Sequence, residues 1–255
     1  MTANAPARVG LPLAVLRLLC CLGMVVRGLL TCALVFPFLG SHRRMWHVGV
    51  FCRHMLAALG LRLVFEGVPH RGPVLLAANH VSWLDILAID AAQPARFVSK
   101  ADIRRWPLIG WMVACGGTLF IERERKRDAM RVVHQVAEAL QQGDVIAMFP
   151  EGTTSDGHGL LPFHANLLQA AIATHTPVQP IALRFSDDSS PVSAAAAYIG
   201  DMNLIESLWA IVRARGLTVT VQRLPARPVE GLDRREVSER VRSDIAAALG
   251  IQAGV

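Results

Sequence analysis

Residues 79–85 read NHVSWLD, a histidine followed five positions later by an aspartate. An imidazole is a useful base at neutral pH when a carboxylate holds one ring nitrogen and the other is left for a substrate proton. Whether His80 and Asp85 make such a pair depends on the backbone between them. Two residues five apart in one α-helix point about 140° away from each other, so a helix spanning both would separate them. They meet if His80 lies in the turn after a strand and Asp85 in the first turn of the next helix. Ser82 with Asp85 also reads as an S-x-x-D capping box, and one carboxylate can do both jobs.

Two further stretches carry groups suited to anions. In GTLFIERERKRD (117–128), Arg123 ends an apolar run and can present a guanidinium to an anion. The charges from Glu124 to Arg127 suit a solvated helix entry. In FPEGTTSDG (149–157), an apolar strand runs into a tight polar loop. Open α/β sheets bind ligands at such strand ends. Gly152 allows close approach to the backbone, and the N–H groups of Gly152, Thr153 and Thr154 can face an anion. No G-x-S-x-G elbow is present. His158 and His164 lie near Asp156 without the spacing of a metal-binding motif, and no metal is expected.

The elements that must position these groups follow from periodicity. Strands are expected at 61–67, 73–79, 95–100, 118–123, 144–150, 177–185 and 217–224. Helices are expected at 83–92, 127–143, 165–175 and 233–250. The first long one has Met130, Val133, Ala137 and Leu140 on one face and Gly143 as its C-cap. The last opens on an Asp233/Glu236 capping box. This alternation predicts an α/β fold, a mainly parallel sheet flanked by helices.

Residues 1–60 differ in character. They hold six arginines and no acidic residue, so the net charge of +6 sits in this quarter. The chain is 53% hydrophobic and only 18% charged, against a usual charged share of about 25%. Acid-free, Arg-bearing, Leu-rich sequence suits anionic lipid head groups. It fits nucleic acid poorly, because the arginines are set among Leu and Val rather than in a polar stripe. Arg17 and Arg27 interrupt the apolar stretch 11–40, and a mid-bilayer Arg costs roughly 2.5–3.5 kcal/mol. The expectation is an N-terminal apolar two-helix membrane-associating segment lying in one leaflet, in preference to a single span. The domains are then 1–60, membrane-associating, and 61–255, catalytic. The five cysteines form no C-x-x-C pair, and read as reduced thiols on the cytoplasmic side.

Together, NHxxxxD (79–85), GxxFIxR (117–123), FPEGT (149–153) and a Val/Pro strand near 178–183 resemble the glycerolipid (lysophospholipid) acyltransferase family, 1-acyl-sn-glycerol-3-phosphate acyltransferase type. The resemblance covers roughly residues 62–225. It implies that His80 takes the proton from a lysolipid hydroxyl and that Asp85 orients it. It implies an acyl thioester donor, acyl-CoA or acyl carrier protein, and no cofactor. It assigns Lys100, Arg123, Glu151, Gly152, Thr153 and Thr154 to substrate binding, and matches Pro180 to the fourth block. Its implied place is the cytoplasmic face of the inner membrane. The sequence departs from the usual EGTRS at Thr154, and has His164 where many members carry lysine. EGTTSDG is closer to lyso-ornithine-lipid acyltransferases, so the acceptor is 1-acyl-sn-glycerol-3-phosphate or, as the alternative, a lyso-ornithine lipid or other lysophospholipid.

Overall fold

The computed structural model of the chain describes residues 7–121 and 126–251. Among the described residues, seven strands form one sheet: β1 (Arg62–Glu66), β2 (Val74–Ala78), β3 (Arg96–Lys100), β4 (Leu119–Ile121), β5 (Val145–Met148), β6 (Val178–Ser186) and β7 (Thr218–Arg223). Their order is β1-β7-β6-β2-β5-β3-β4. Only β6 and β7 pair antiparallel; the other pairings are parallel. The expected mainly parallel sheet is therefore the observed one.

The central strand β2, VLLAA, is buried at every position. It shows no polar alternation because helices cover both faces. Val74, Leu76 and Ala78 face a cluster containing Met55, Leu56 and Leu59 of α2 (Ser41–Leu59) and Leu84 and Ala88 of α3 (Leu84–Ala92). Leu75 and Ala77 face the opposite cluster. That one holds Val132 and Val136 of α5 (Lys126–Gln141), Leu168 and Ala171 of α6 (Leu168–Ala173), and Val237, Val241 and Ile245 of α8 (Arg234–Leu249). Adjacent strands β2 and β5 thus send their chains onward over opposite faces, β2 through α3 to β3 and β5 through α6 to β6. Such a reversal opens a crevice at the strands' C-terminal ends.

The remaining helices are α1 (Leu11–Leu34), α4 (Ile109–Cys115) and α7 (Leu204–Arg213). Leu11–Phe38 is long and apolar enough to cross a membrane by length and composition. Its outer face shows Leu16, Leu19, Leu22, Leu30 and Leu34, and Phe38 beyond it is 86% exposed. Its inner face is docked on the protein. Arg17 Nη1 donates to the Val212 and Ala214 carbonyls, each at 2.9 Å. This cation caps the C-terminus of α7, where the helix dipole favours it. The Val9 amide donates to the Arg213 carbonyl and the Arg215 amide to Ala7. Farther along, a Cβ on Gly28 would lie 2.9 Å from Phe51 and 2.8 Å from Met112. The glycine lets α1 lie close on α2 and α4.

The expected division at residue 60 is one of sequence character; residues on both sides of it share one core cluster. α2 is clamped to α3 by Arg53, whose Nε donates to the Ala91 carbonyl at 2.7 Å. Buried Asp90 accepts from the Ala95 amide and, at 3.9 Å, from the Cys52 thiol. α4 stands outside the elements expected from the sequence, and so does α7. α7 begins on a full capping box, Asn203 with Glu206, so a local signal for it was present.

Candidate active site

The turn that carries His80 follows from sheet register. β2 and β5 pair in parallel with Ala77 opposite Met148. Carrying that register three residues onward sets His80 level with Glu151. The His80 amide does donate to Glu151 Oε1, at 2.7 Å, and the Leu161 amide to Oε2, at 2.9 Å. Glu151 is buried. Its carboxylate spends itself on backbone, bracing the turn from behind. Burial pushes the Glu151 carboxyl above its ordinary value, and the Leu161 and His80 amides pull it back.

The strand ends before His80 and α3 begins at Leu84, so the pair straddles a turn, as the chemistry requires. His80 Nδ1 lies 2.7 Å from Asp85 Oδ2. The same oxygen accepts from the Val81 amide at 2.7 Å and the Ser82 amide at 2.9 Å. An oxygen receiving two N–H groups already is an acceptor, so the ring proton sits on Nδ1. Nε2 has no partner among the described residues. Of the capping box, only the half from Asp85 back to the Ser82 amide forms; Ser82 Oγ has no partner among the described residues.

Phe149 fixes the ring's plane. It stacks on His80 with centroids 3.9 Å apart and planes 9° from parallel, and Phe97 backs it at 5.7 Å. On the other side, Asn79 ties the turn to β6, donating to the Leu183 carbonyl and accepting from its amide. The His80 carbonyl accepts from the Ser155 amide at 2.8 Å and from its hydroxyl at 3.2 Å. Asp85 is fully buried, while the His80 side chain is 18% exposed. Such a pair can serve as a base, with its orienting acid walled off and one edge open.

The other expected residues scatter more. Lys100 is exposed at the end of β3. Gly152 adopts φ +73°, the left-handed region that glycine tolerates, and its N–H turns back to the Phe149 carbonyl at 3.1 Å. Thr153 is exposed, and Thr154 Oγ1 donates to the Tyr198 carbonyl. Arg123 lies outside the described residues. Pro180 is buried in β6, paired with Ala77. Among the described residues no group of three His, Cys, Asp or Glu is placed to hold a metal. Sequence reasoning did not single out Asn79, Phe149 or the bracing role of Glu151. Each depends on which strands become neighbours.

A protein-family model described as Acyltransferase matches residues 62–184. The lyso-ornithine lipid O-acyltransferase of Pseudomonas aeruginosa is 38% identical over 204 residues, covering 80% of this chain and 77% of that protein. The 1-acyl-sn-glycerol-3-phosphate acyltransferase of Neisseria meningitidis serogroup B is 39% identical over 206 residues, covering 80% of each. The fold is similar to the crystal structure of the 1-acyl-sn-glycerophosphate (LPA) acyltransferase PlsC from Thermotoga maritima, with a TM-score of 0.69 at 18% identity over 94% of both chains.

Proposed function

The chain belongs to the acyltransferase family, and from that premise we propose that it esterifies the free hydroxyl of a lysolipid with a fatty acyl group from a thioester. The observation that carries this is the His80–Asp85 contact with Nε2 at an open edge. Nε2 takes the proton of the acceptor hydroxyl as its oxygen attacks the thioester carbonyl. Asp85 stabilises the imidazolium that forms. The new C–O bond replaces the C–S bond, and the proton passes from Nε2 to the departing thiolate. A thiolate leaves readily, so no enzyme nucleophile is required.

The acceptor we assign is 1-acyl-sn-glycerol-3-phosphate, with acyl-CoA or acyl carrier protein as donor. Lys100, exposed at the end of β3, is a cation suited to the acceptor's phosphate. A second reading, a lyso-ornithine lipid as acceptor, is favoured by Thr154. Its neutral hydroxyl is committed to the Tyr198 carbonyl and offers no charged grip on a phosphate. The acyl-transfer reading places the protein at the cytoplasmic face of the inner membrane, with the outer face of α1 in the lipid. The deciding experiment gives purified protein each acceptor with acyl-CoA or acyl carrier protein and follows the diacyl product. Faster turnover of 1-acyl-sn-glycerol-3-phosphate supports the first assignment; preference for the ornithine acceptor replaces it with the second. Failure with every lysolipid overturns both.

A further inference from the structure

We infer that the cavity behind Val81 is a binding site for the anionic head group of a substrate, with Arg184 as its cation and His158 as a second side-chain partner. The inference rests on the acyl-transfer reading and adds a site to it. The cavity measures about 200 Å³ and lies between the end of β6, the 157–158 loop, residues 191–193 and the end of α8. A water takes up about 30 Å³ of liquid, so this space suits one small head group and is too small for a fatty chain.

Its position ties it to the catalytic turn. Val81, in its wall, follows His80 directly. Gly157 and His158 continue the loop whose Ser155 holds the His80 carbonyl. β6 lies parallel beside β2, so the cavity opens at the same edge of the sheet as the base. Gly157, at φ +82°, brings the loop in: a Cβ there would lie 3.3 Å from Val192 and 3.5 Å from Val81.

Its chemistry selects anions. Arg184 and His158 line it, and no carboxylate does. Arg184 Nη2 donates to the Leu249 carbonyl at the end of α8. A guanidinium has five N–H donors, so most remain for a ligand. Of the nearby acids, Asp156 accepts from the His158 amide at 2.9 Å, and two others are engaged away from the cavity. Asp187 accepts from Ser189, Ser190 and Ser193, and Asp188 pairs with Arg215 at 3.2 Å. Apolar Leu183 and Val192 complete the wall, and a drier surround strengthens a charged hydrogen bond. With the Thr154 hydroxyl spent on Tyr198, Arg184 supplies fixed positive charge on the β6 side of the turn.

Phosphate or carboxylate chemistry here can come from the acceptor's head group or from the donor's phosphates. Steady-state kinetics of Arg184→Gln, His158→Gln and the cavity-filling Val192→Phe separate the two. We expect KM for one substrate to rise about tenfold in Arg184→Gln and about threefold in His158→Gln, with kcat within twofold. A rise for the acceptor alone assigns the head group, and a rise for acyl-CoA alone assigns the donor's phosphates. Because Arg184 also caps α8, His158→Gln, whose exposed side chain caps nothing among the described residues, guards against a folding artefact. Inorganic phosphate binding to the full-length protein in detergent, by calorimetry, is the independent readout and should weaken in the Arg184 and His158 variants. Unchanged KM for both substrates in all three folded variants, with wild-type transfer intact, overturns the site alone. If wild type transfers no acyl group, the parent reading falls, and the phosphate titration still decides the site: equal phosphate binding by wild type and Arg184→Gln overturns it.

Discussion

At the residue scale, one carboxylate oxygen carries much of the design. Asp85 Oδ2 gathers the imidazole N–H and two backbone amides. Asp85→Asn can keep the amide contacts through its own oxygen while removing the charge. It should lower kcat by about a hundredfold or more, the scale of general-base effects, and leave KM and thermal stability nearly unchanged. His80→Ala should lower kcat by about a thousandfold with the fold intact by circular dichroism. Glu151→Gln differs, because its amide nitrogen would face a backbone N–H. It should cost about 1–3 kcal/mol of stability, read by denaturant titration. The dyad was legible in NHxxxxD because its five-residue spacing and the strand–helix boundary are local. The brace was not, because Glu151 meets His80 only after strands 71 positions apart come into register.

At the element scale, the α2–α3 seam is built around a buried acid. Burial pushes the Asp90 carboxyl up to about 8 from 3.8, opposed by its bonds from Ala95 and Cys52. A folded-state value above the unfolded one means that Asp90 contributes stability fully below pH 3.8 and loses it as pH rises toward about 8. Wild type should therefore be less stable at pH 8 than at pH 6 by comparison with Asp90→Asn, where this dependence is absent. Thermal melts of both proteins at the two pH values check it, with slopes up to about 1.4 kcal/mol per pH unit. The other seam is the α1–α7 clasp. Arg17→Met should lose about 1.5–3 kcal/mol, the usual worth of hydrogen bonds from a charged group, and expose α1 to protease. The sequence made Arg17 look like an obstacle to burial in lipid. It became intelligible once the carbonyls at the end of α7 were seen, and α7 is a helix the periodicity did not disclose.

At the scale of the whole molecule, the apolar excess resolves into two destinations, the paired clusters on the sheet and the outer face of α1. Fully burying one leucine is worth about 1.5–3 kcal/mol. Replacing Leu19, Leu22 and Leu30 with serine, which removes apolar surface without adding charge, should thus lower binding to lipid vesicles at least about a hundredfold in co-sedimentation, with the fold preserved. The parallel sheet and its helices were readable from alternation, but the single antiparallel pairing was not, because strand order is settled by tertiary packing. The clasp also bears on how the protein is made. α1 leaves the ribosome well before α7: the carbonyls that Arg17 grips are synthesised some 195 residues later, and β7, the strand that β1 pairs with, later still. At about 5–20 residues per second, the nascent helix waits roughly 10–40 s for its partner. α2 and α4, on which α1 also packs, are made well within that interval, so the order is fixed: α1 can settle on α2 early, and the Arg17 clasp on α7 closes among the last folding events.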